Sequence, residues 1–357
     1  MNSPPAFERR SVTRDRLVSV LLPLYNAENY IGHSIRSLLR QTHENLEIIV
    51  IDDGSTDRSG EFVRDLAAID SRIRYVAKTN SGIVDALNLG LTLARGVFIA
   101  RQDADDISTP ARIEKQVEYL IEHPTCIAVS GAHFHIDESG YFTGGRHYPS
   151  NRGSGDYTAY PAMEPYLPHP FLMMHASILK ELKYRHTFHC EDSDLYWRAV
   201  RFGKLENMSE ILGLYRIHTA SISGASIIDG RIQAVYSQLA AISAARYDLM
   251  IPDLEFDPTL LAKCRKAKSL ARIIDLFAPM LDPRELAYLR AASALKLVEL
   301  SGFRPYRLEK EDLQFLKSNV NLKKLGGREN RRNARRAVRG YYRRQGLPKL
   351  IGYYAGL

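Results

Sequence analysis

Cysteine is scarce in this 357-residue chain, and the three that occur, Cys126, Cys190 and Cys264, lie far apart with no C-x-x-C pair. That spacing argues against a disulfide framework and against a cysteine-based zinc site, and it suits a reducing compartment. No run of about 18 consecutive apolar residues occurs, so no transmembrane helix is expected. The first residues, Met-Asn-Ser-Pro-Pro, lead to Arg9 and Arg10 without an apolar stretch, and no signal peptide is expected either. These absences together predict a cytoplasmic protein. No repeat of fixed period stands out.

Acid is what the C-terminus lacks. From Val320 onward there are eleven Lys or Arg against the single acid Glu329, a balance of +10 within a net charge of +8. The rest of the chain is close to neutral. Any basic surface must therefore be sought at the C-terminal end.

What is present is ordinary for a globular protein: 45% hydrophobic and 25% charged residues, enough for a sizeable core. At roughly 150 residues per domain, the length predicts two domains or one large domain with an extension.

The first 130 residues alternate between short β-type runs and helical patterns. Short β-type runs at 17–22, 47–51, 73–77, 97–100 and 127–130 read as strands, the first of them wholly apolar but for Ser19. Between them, Ile31, Ile35, Leu38 and Leu39 recur at helical spacing, as do Phe62, Val63 and Leu66, then Ile83, Leu87 and Leu91, then Ile113, Val117, Leu120 and Ile121. Such alternation implies a largely parallel sheet covered on both faces. Residues 140–170, rich in Gly, Pro, Tyr and His, read as a loop. A helix is expected around 192–202 and a strand near 211–215. Beyond about 226 the pattern is helical, with no β-type runs, and a boundary is placed there.

Ligands of an open parallel sheet bind beyond the carboxyl ends of its strands. Three polar clusters occupy that rim: Pro23-Leu24-Tyr25-Asn26, Asp52-Asp53, and Asp103-Ala104-Asp105. Each alone is compatible with turn chemistry, since Asp and Asn favour turns. The D-x-D at Asp103 and Asp105 carries more, because Mg²⁺ and similar hard cations take one or two carboxylates plus substrate phosphates. His133-x-His135 and His186-x-x-His189 have metal-like spacing, but no cysteine accompanies them and the carboxylates compete.

The stretches VSVLLPLYNAENYI (18–31), IVIDDGSTD (49–57), SGIVDALNLG (81–90), ARGVFIARQDADDISTPARIEKQ (94–116) and CEDSDLYWR (190–198) follow one another in an order that resembles family 2 of the inverting nucleotide-sugar glycosyltransferases, whose fold is called GT-A. The resemblance implies a GT-A catalytic domain over 16–225, after an N-terminal tail of 1–15 and before a helical region of 226–357. It assigns Pro23, Tyr25 and Asp53 to the nucleotide base, with Glu28 supporting them. Asp103 would contact the ribose side, and Asp105 a Mn²⁺ or Mg²⁺ ion. Asp192, in the acidic pair Glu191-Asp192, is the implied general base that deprotonates the acceptor hydroxyl; as an Asp, it could equally cap the helix that follows. Tyr215-Arg216-Ile217-His218 also resembles the family, with His218 as a further metal ligand or simply a packed side chain. His169-Pro170 would line the acceptor pocket.

Two departures bear on function. Leu87 stands where many relatives carry Arg, which removes one donor contact. The Q-x-x-R-W pattern of processive synthases is absent, the region reading Leu195-Tyr196-Trp197-Arg198. Single-sugar addition is therefore expected, from a UDP-sugar by family habit, to a glycan or lipid-linked acceptor in bacterial surface polysaccharide synthesis.

On a helical wheel of about 100° per residue, Arg328, Arg331, Arg332, Arg335, Arg336, Arg339 and Arg343 fall on one side of the tail, and Ala334, Ala337, Val338 and Tyr341 on the other. Anionic lipid attracts such a segment by about 1 kcal/mol per basic residue, which would place the protein at the cytoplasmic membrane face. A solvated helix is the bland alternative, and nucleic acid is disfavoured. Two other functions stay open on sequence alone: a nucleotidyltransferase, although the Gly-rich basic loop it needs is missing, and a non-catalytic membrane-surface protein.

Overall fold

The computed structural model of the chain describes residues 15–151, 153–218, 226–302 and 306–320, with Arg328, Arg331, Arg332, Arg335 and Arg339 beyond them. It divides into two compact units: Met1–Ser154 with Pro165–Tyr184 and Arg198–His218, and Gly155–Glu164 with Arg185–Trp197 and Thr219–Leu357. The amphipathic helix expected in the basic tail lies outside the described residues, apart from those five arginines.

In the first unit, strands and helices alternate as β1 (Val18–Leu24), α1 (Ile31–Leu39), β2 (Leu46–Asp52), α2 (Ser59–Ile69), β3 (Ile73–Ala77), α3 (Ile83–Leu93) and β4 (Phe98–Arg101). There follow β5 (Ile107–Ser108), α4 (Arg112–Glu122), β6 (Cys126–Ile136), β7 (Phe142–His147), β8 (Met173–His175), α5 (Ala176–Leu182) and, after α6 (Glu191–Ala199), β9 (Lys204–Arg216). One nine-stranded sheet results, in the order β3-β2-β1-β4-β8-β6-β9-β5, with β7 paired to β6.

Covering on both faces explains why the early strands read as unbroken apolar runs rather than as alternation. Val18, Val20, Leu22 and Leu24 share a core with Ile31, Ile35 and Leu38 of α1 and with Ile113, Val117 and Leu120 of α4. On the opposite face, α3 approaches closely: a Cβ at Gly90 would stand 3.1 Å from the Leu21 side chain. Gly96, at the entry to β4, is needed for the same reason, since a Cβ there would come within 2.5 Å of the Ser19 backbone nitrogen.

The sheet is mixed where the sequence reading expected it to be largely parallel. β1, β2, β3 and β4 are parallel, as are β6 and β9. Antiparallel pairs join β4 to β8, β8 to β6, β6 to β7 and β5 to β9. Of the strands responsible, β5 and β8 have two and three residues, too few to show a periodicity, and the six-residue β7 lies in the Gly-rich stretch that the sequence reads as a loop.

Beyond residue 226 the second unit is helical: α7 (Ile227–Asp248), α8 (Leu260–Lys266), α9 (Leu270–Phe277), α10 (Pro283–Leu300) and α11 (Lys310–Asn319). Local signals start these helices. Ser226 and Ser269 cap α7 and α9 through their side chains, and Asp282 forms a capping box with Glu285 ahead of Pro283. Ile232, Val235, Tyr236 and Leu239 of α7 pack against Ile273, Ile274, Leu289, Leu295 and Val298, and Tyr160, Phe188 and Cys190 join this core from segments earlier in the chain. Fully buried Arg231 ties α7 to α11 through Asp312 at 2.8 Å and Glu309 at 2.5 Å. Among the described residues, no helix is long and apolar enough to cross a membrane.

Candidate active site

Parallel pairing of β1 and β2 sets Leu24 opposite Asp52, so the turns leaving the two strands lie side by side. The Asp53 N–H donates to the Leu24 carbonyl at 2.8 Å. Asn26, at a φ of 47°, accepts from Thr56 N–H at 2.8 Å and donates its own N–H to Ser55 Oγ at 3.0 Å. Glu28 belongs to the same weave: it accepts from Arg58 N–H at 3.0 Å, and its N–H donates to Asp57 at 3.0 Å. Its part is to join the two turns. Pro23 is the penultimate residue of β1, opposite Ile51, and Tyr25, just past the strand, is 51% exposed.

Asp53 is buried and richly supplied with donors. It accepts from Ser81 N–H at 3.0 Å and Gly82 N–H at 2.8 Å, and forms an ion pair with Lys78. Neighbouring Asp52 is spent on structure, accepting from Ser55 N–H at 2.8 Å and from Tyr75 Oη at 2.6 Å. Burial and that carboxylate push the Tyr75 phenol up to about 12.

The second cluster follows β4. β5 begins directly after Asp106 and pairs antiparallel with the end of β9, Ile107 opposite Leu214. That register draws Arg216 and His218 alongside the acids. His218 Nε2 lies 2.7 Å from Asp105 Oδ2, Arg216 N–H donates to Asp106 Oδ1 at 2.8 Å, and Arg216 Nε donates to the Asp105 carbonyl at 2.9 Å. The Arg216 guanidinium also stacks 4.8 Å over the Tyr30 ring, itself 5.2 Å from the His218 ring. Asp103 turns toward Arg101, whose guanidinium donates at 2.7 Å, and its carbonyl accepts from Ser34 Oγ at 2.9 Å.

One carboxylate oxygen from each of Asp103, Asp105 and Asp106 lies within 4.8 Å of the other two. Desolvation, then the charges of Asp105 and Asp103, lift the Asp106 carboxyl well above its ordinary range. Asp103 is raised by desolvation and by Asp105, against the pull of Arg101. Asp106 is only 1% exposed, and its Oδ2 has no hydrogen-bond partner among the described residues. Crowded carboxylates with an orphaned buried oxygen fit a hard divalent cation, which supplies the charge that this donor set lacks.

Sequence reasoning gave no role to Arg112, which supports the acidic turn from beneath. Wholly buried, it donates to Gln102 Oε1 at 2.7 Å, Ser108 Oγ at 2.9 Å and the Arg101 carbonyl at 2.6 Å, and it stacks 5.2 Å over Phe171. Gln102 in turn donates to the Asp106 carbonyl at 2.8 Å. Burial pulls the Arg112 guanidinium down to about 9. An arginine two residues after Pro110, on the apolar face of a helix, was the available signal.

Asp192 belongs to the second unit. It lies within the first turn of α6, partly exposed, with Ser193 N–H donating to its Oδ1 at 2.8 Å. Since α6 begins at Glu191, Asp192 does not occupy the capping position ahead of the helix. The histidine pairs serve elsewhere: His133 packs 5.0 Å from His147 and 5.5 Å from His135, and burial with those two rings pulls it down to about 3. His189 lies 3.3 Å from Asp229. Buried His169 pairs with the Tyr184 hydroxyl at 3.0 Å, and Leu87 is buried beside Asn88, whose amide bonds the Tyr184 backbone. Among the described residues, Asp103, Asp105 and Asp106 alone bring three metal-ligating side chains close enough to share an ion.

Comparison with known proteins bears on this arrangement. A family model described as glycosyl transferase family 2 matches residues 19–185. An uncharacterized glycosyltransferase of Haemophilus influenzae is 38% identical over 219 residues, covering 57% of this chain and 66% of that protein. EpsE of Bacillus subtilis, assigned as a glycosyltransferase, is 37% identical over 213 residues, covering 57% of this chain and 73% of EpsE. Among solved structures, S. aureus TarS 1–349 in complex with UDP-GlcNAc superposes with a TM-score of 0.50 over 93% of this chain and 92% of that one, at 16% identity. The fold is thus GT-A, and the chain belongs to glycosyl transferase family 2.

Proposed function

We propose that this protein is a metal-dependent, inverting glycosyltransferase that moves one sugar from a nucleotide diphosphate donor to an acceptor hydroxyl. The observation that carries the reading is the meeting of Asp103, Asp105 and Asp106 on one rim, with His218 brought to Asp105 by the β5–β9 register. Asp105 and His218 would hold Mn²⁺ or Mg²⁺, with Asp106 beside them. When bound, the ion offsets the negative charge on the diphosphate leaving group.

The chain's own residues do the rest. Tyr25, Pro23 and Asp53 form the base subsite, with Glu28 fixing the turn that carries the first two, and Asp103 faces the ribose. Asp192 takes the proton from the acceptor hydroxyl as that oxygen attacks the anomeric carbon and the bond to the diphosphate breaks. One displacement inverts the anomeric configuration. A UDP-sugar is the favoured donor, and UDP-GlcNAc, the compound bound to TarS in its solved complex, is the first to try. The favoured acceptor is a glycan or lipid-linked intermediate of bacterial surface polysaccharide synthesis, met at the cytoplasmic membrane face if the basic tail binds anionic lipid.

The test is a panel of UDP-, GDP- and dTDP-sugars with Mn²⁺, scored by nucleoside diphosphate release and by thermal stabilisation. Stabilisation that needs both metal and nucleotide sugar, lost in Asp105→Ala, is the expected result. Asp192→Asn should abolish turnover while leaving donor binding near normal. Pyrophosphate released from a nucleoside triphosphate and a sugar phosphate would instead identify a nucleotidyltransferase. Silence toward every nucleotide sugar would leave only a binding protein.

A further inference from the structure

We propose that Glu164 and Lys296 are positioning residues for Asp192, so that the helical second unit seats the catalytic base. This rests on the assignment of Asp192 given above. The geometry is a continuous chain of contacts inside one unit. Lys296 of α10 forms an ion pair with Glu164 Oε1 at 2.8 Å. Ser193 Oγ donates to Glu164 Oε2, and Ser193 N–H donates to Asp192 Oδ1 at 2.8 Å. Glu299 stands 3.7 Å from the same ammonium.

Burial works against a charge on Lys296, yet Glu164 and Glu299 hold its ammonium above the ordinary lysine range. A buried ion pair of this kind contributes little net stability, because desolving two charges offsets their attraction. Core packing alone would be served as well by apolar side chains. What the pair does specify is the place of the Ser193 hydroxyl, and through it the first turn of α6.

Other contacts show that this turn is fixed from several sides. Asp194 is fully buried and paired with Arg185, which also donates to Ser243 Oγ of α7 at 2.9 Å and to Asp253 at 2.7 Å. Segment Gly155–Glu164 is itself sewn to the helices: Ala162 N–H donates to Gln238 Oε1 at 3.0 Å, and Tyr288 Oη to the Ala159 carbonyl at 3.3 Å. Ser193 and Asp194 are buried and held on either hand, while Asp192, the residue before them, keeps a partly exposed carboxylate. An acid that must receive a proton from a bound alcohol needs that combination of access and fixed direction.

The chain's single tryptophan, Trp197, sits on the same helix among Ala162, Ala240, Ala241 and Ala244, and reports its seating. Ser193→Ala, Glu164→Gln, Lys296→Met, Lys296→Arg and the apolar pair Glu164→Leu with Lys296→Met would be compared in the full-length protein. Turnover is read as nucleoside diphosphate release with Mn²⁺, water as acceptor, and whichever UDP-, GDP- or dTDP-sugar reacts fastest. Misplacing a reacting group by about an ångström can cost up to about a hundredfold. The expected result is a fall in kcat of about ten- to a hundredfold with donor KM unchanged, greater acrylamide quenching of Trp197, and rescue by Lys296→Arg alone. In the apolar pair, the thermal midpoint should return to that of the wild type while kcat stays low.

Full kcat in Ser193→Ala and in the apolar pair, measured in folded protein with Asp192→Asn inactive, overturns the positioning role and leaves the base assignment standing. Full kcat in Asp192→Asn removes the base assignment itself. Loss confined to the thermal midpoint, with kcat per folded molecule and Trp197 quenching unchanged, makes the pair a purely structural device and likewise overturns the proposal.

Discussion

Two carboxylate sites on the same sheet rim are built on opposite principles. Asp53 is surrounded by donors that the protein supplies: two backbone N–H groups and the Lys78 ammonium. Asp103, Asp105 and Asp106 crowd together, and burial with mutual repulsion raises Asp106 and Asp103 above the usual carboxylate range. A carboxylate already satisfied fixes a turn. A cluster left short of positive charge is prepared to take that charge from outside. Turn chemistry explains the first site almost completely. It cannot explain the second.

The comparison breaks most visibly if Asp53 proves dispensable. Asp53→Ala leaves two N–H groups without their acceptor and Lys78 without its carboxylate, with only the Thr79 carbonyl and the Ser81 hydroxyl to accept from it, and removing one partner of a buried pair costs about 3 kcal/mol. Urea unfolding should show that loss with no metal present, and an unchanged midpoint would reduce Asp53 to an ordinary surface acid. Next comes the metal response of the cluster. At one hundred times its dissociation constant, Mn²⁺ should stabilise the wild type by about 2.7 kcal/mol, seen as a rise in thermal midpoint. Asp105→Ala should lose nearly all of that rise, whereas Asp53→Ala should keep it.

A smaller effect has the opposite sign. Asp106→Asn keeps an oxygen for Arg216 N–H and removes one of three crowded charges. Without metal it should be more stable than the wild type, because burial and the charges of Asp105 and Asp103 work against an ionised carboxyl at this position. The pH dependence follows in sign. A carboxyl raised in the folded state binds protons more tightly there than in the unfolded chain, so its stability is full at low pH and is lost as pH rises through the raised value. The advantage of Asp106→Asn over the wild type should therefore open from acid toward neutral pH, and millimolar Mn²⁺ should reverse it. A gap that does not vary with pH would mean the cluster is not strained by its own charge.

Much of this was open to reading in the residues. Strands at Val18–Leu24, Leu46–Asp52 and Phe98–Arg101 declare themselves as apolar runs because both faces of the sheet are covered, whereas the edge strand Ile73–Ala77 is buried only at Ile73. Asp103 and Asp105 were legible through their place after a strand. Asp106 was not singled out, because nothing in D-A-D-D distinguishes a buried acid with an orphaned oxygen from a solvated one. Arg112 escaped for a related reason: a buried arginine whose partners are a carbonyl, an amide and a hydroxyl leaves no acidic residue at helical spacing to betray it. Segments Gly155–Glu164 and Arg185–Trp197, expected within the catalytic stretch, associate with the helices beyond residue 226, and no local pattern encodes so distant a packing choice.

By itself the sequence determined the alternation of strand and helix, the caps that start α7, α9 and α10, and the polar residues at the strand ends. Each depends on neighbours within a few positions, where backbone preference and periodicity act. The tertiary structure alone decided the pairing of β5 with β9, which carries His218 to an acid more than a hundred residues earlier, and the burial that raises Asp106. Desolvation and Coulomb repulsion depend on distances through space, and chain order does not set them.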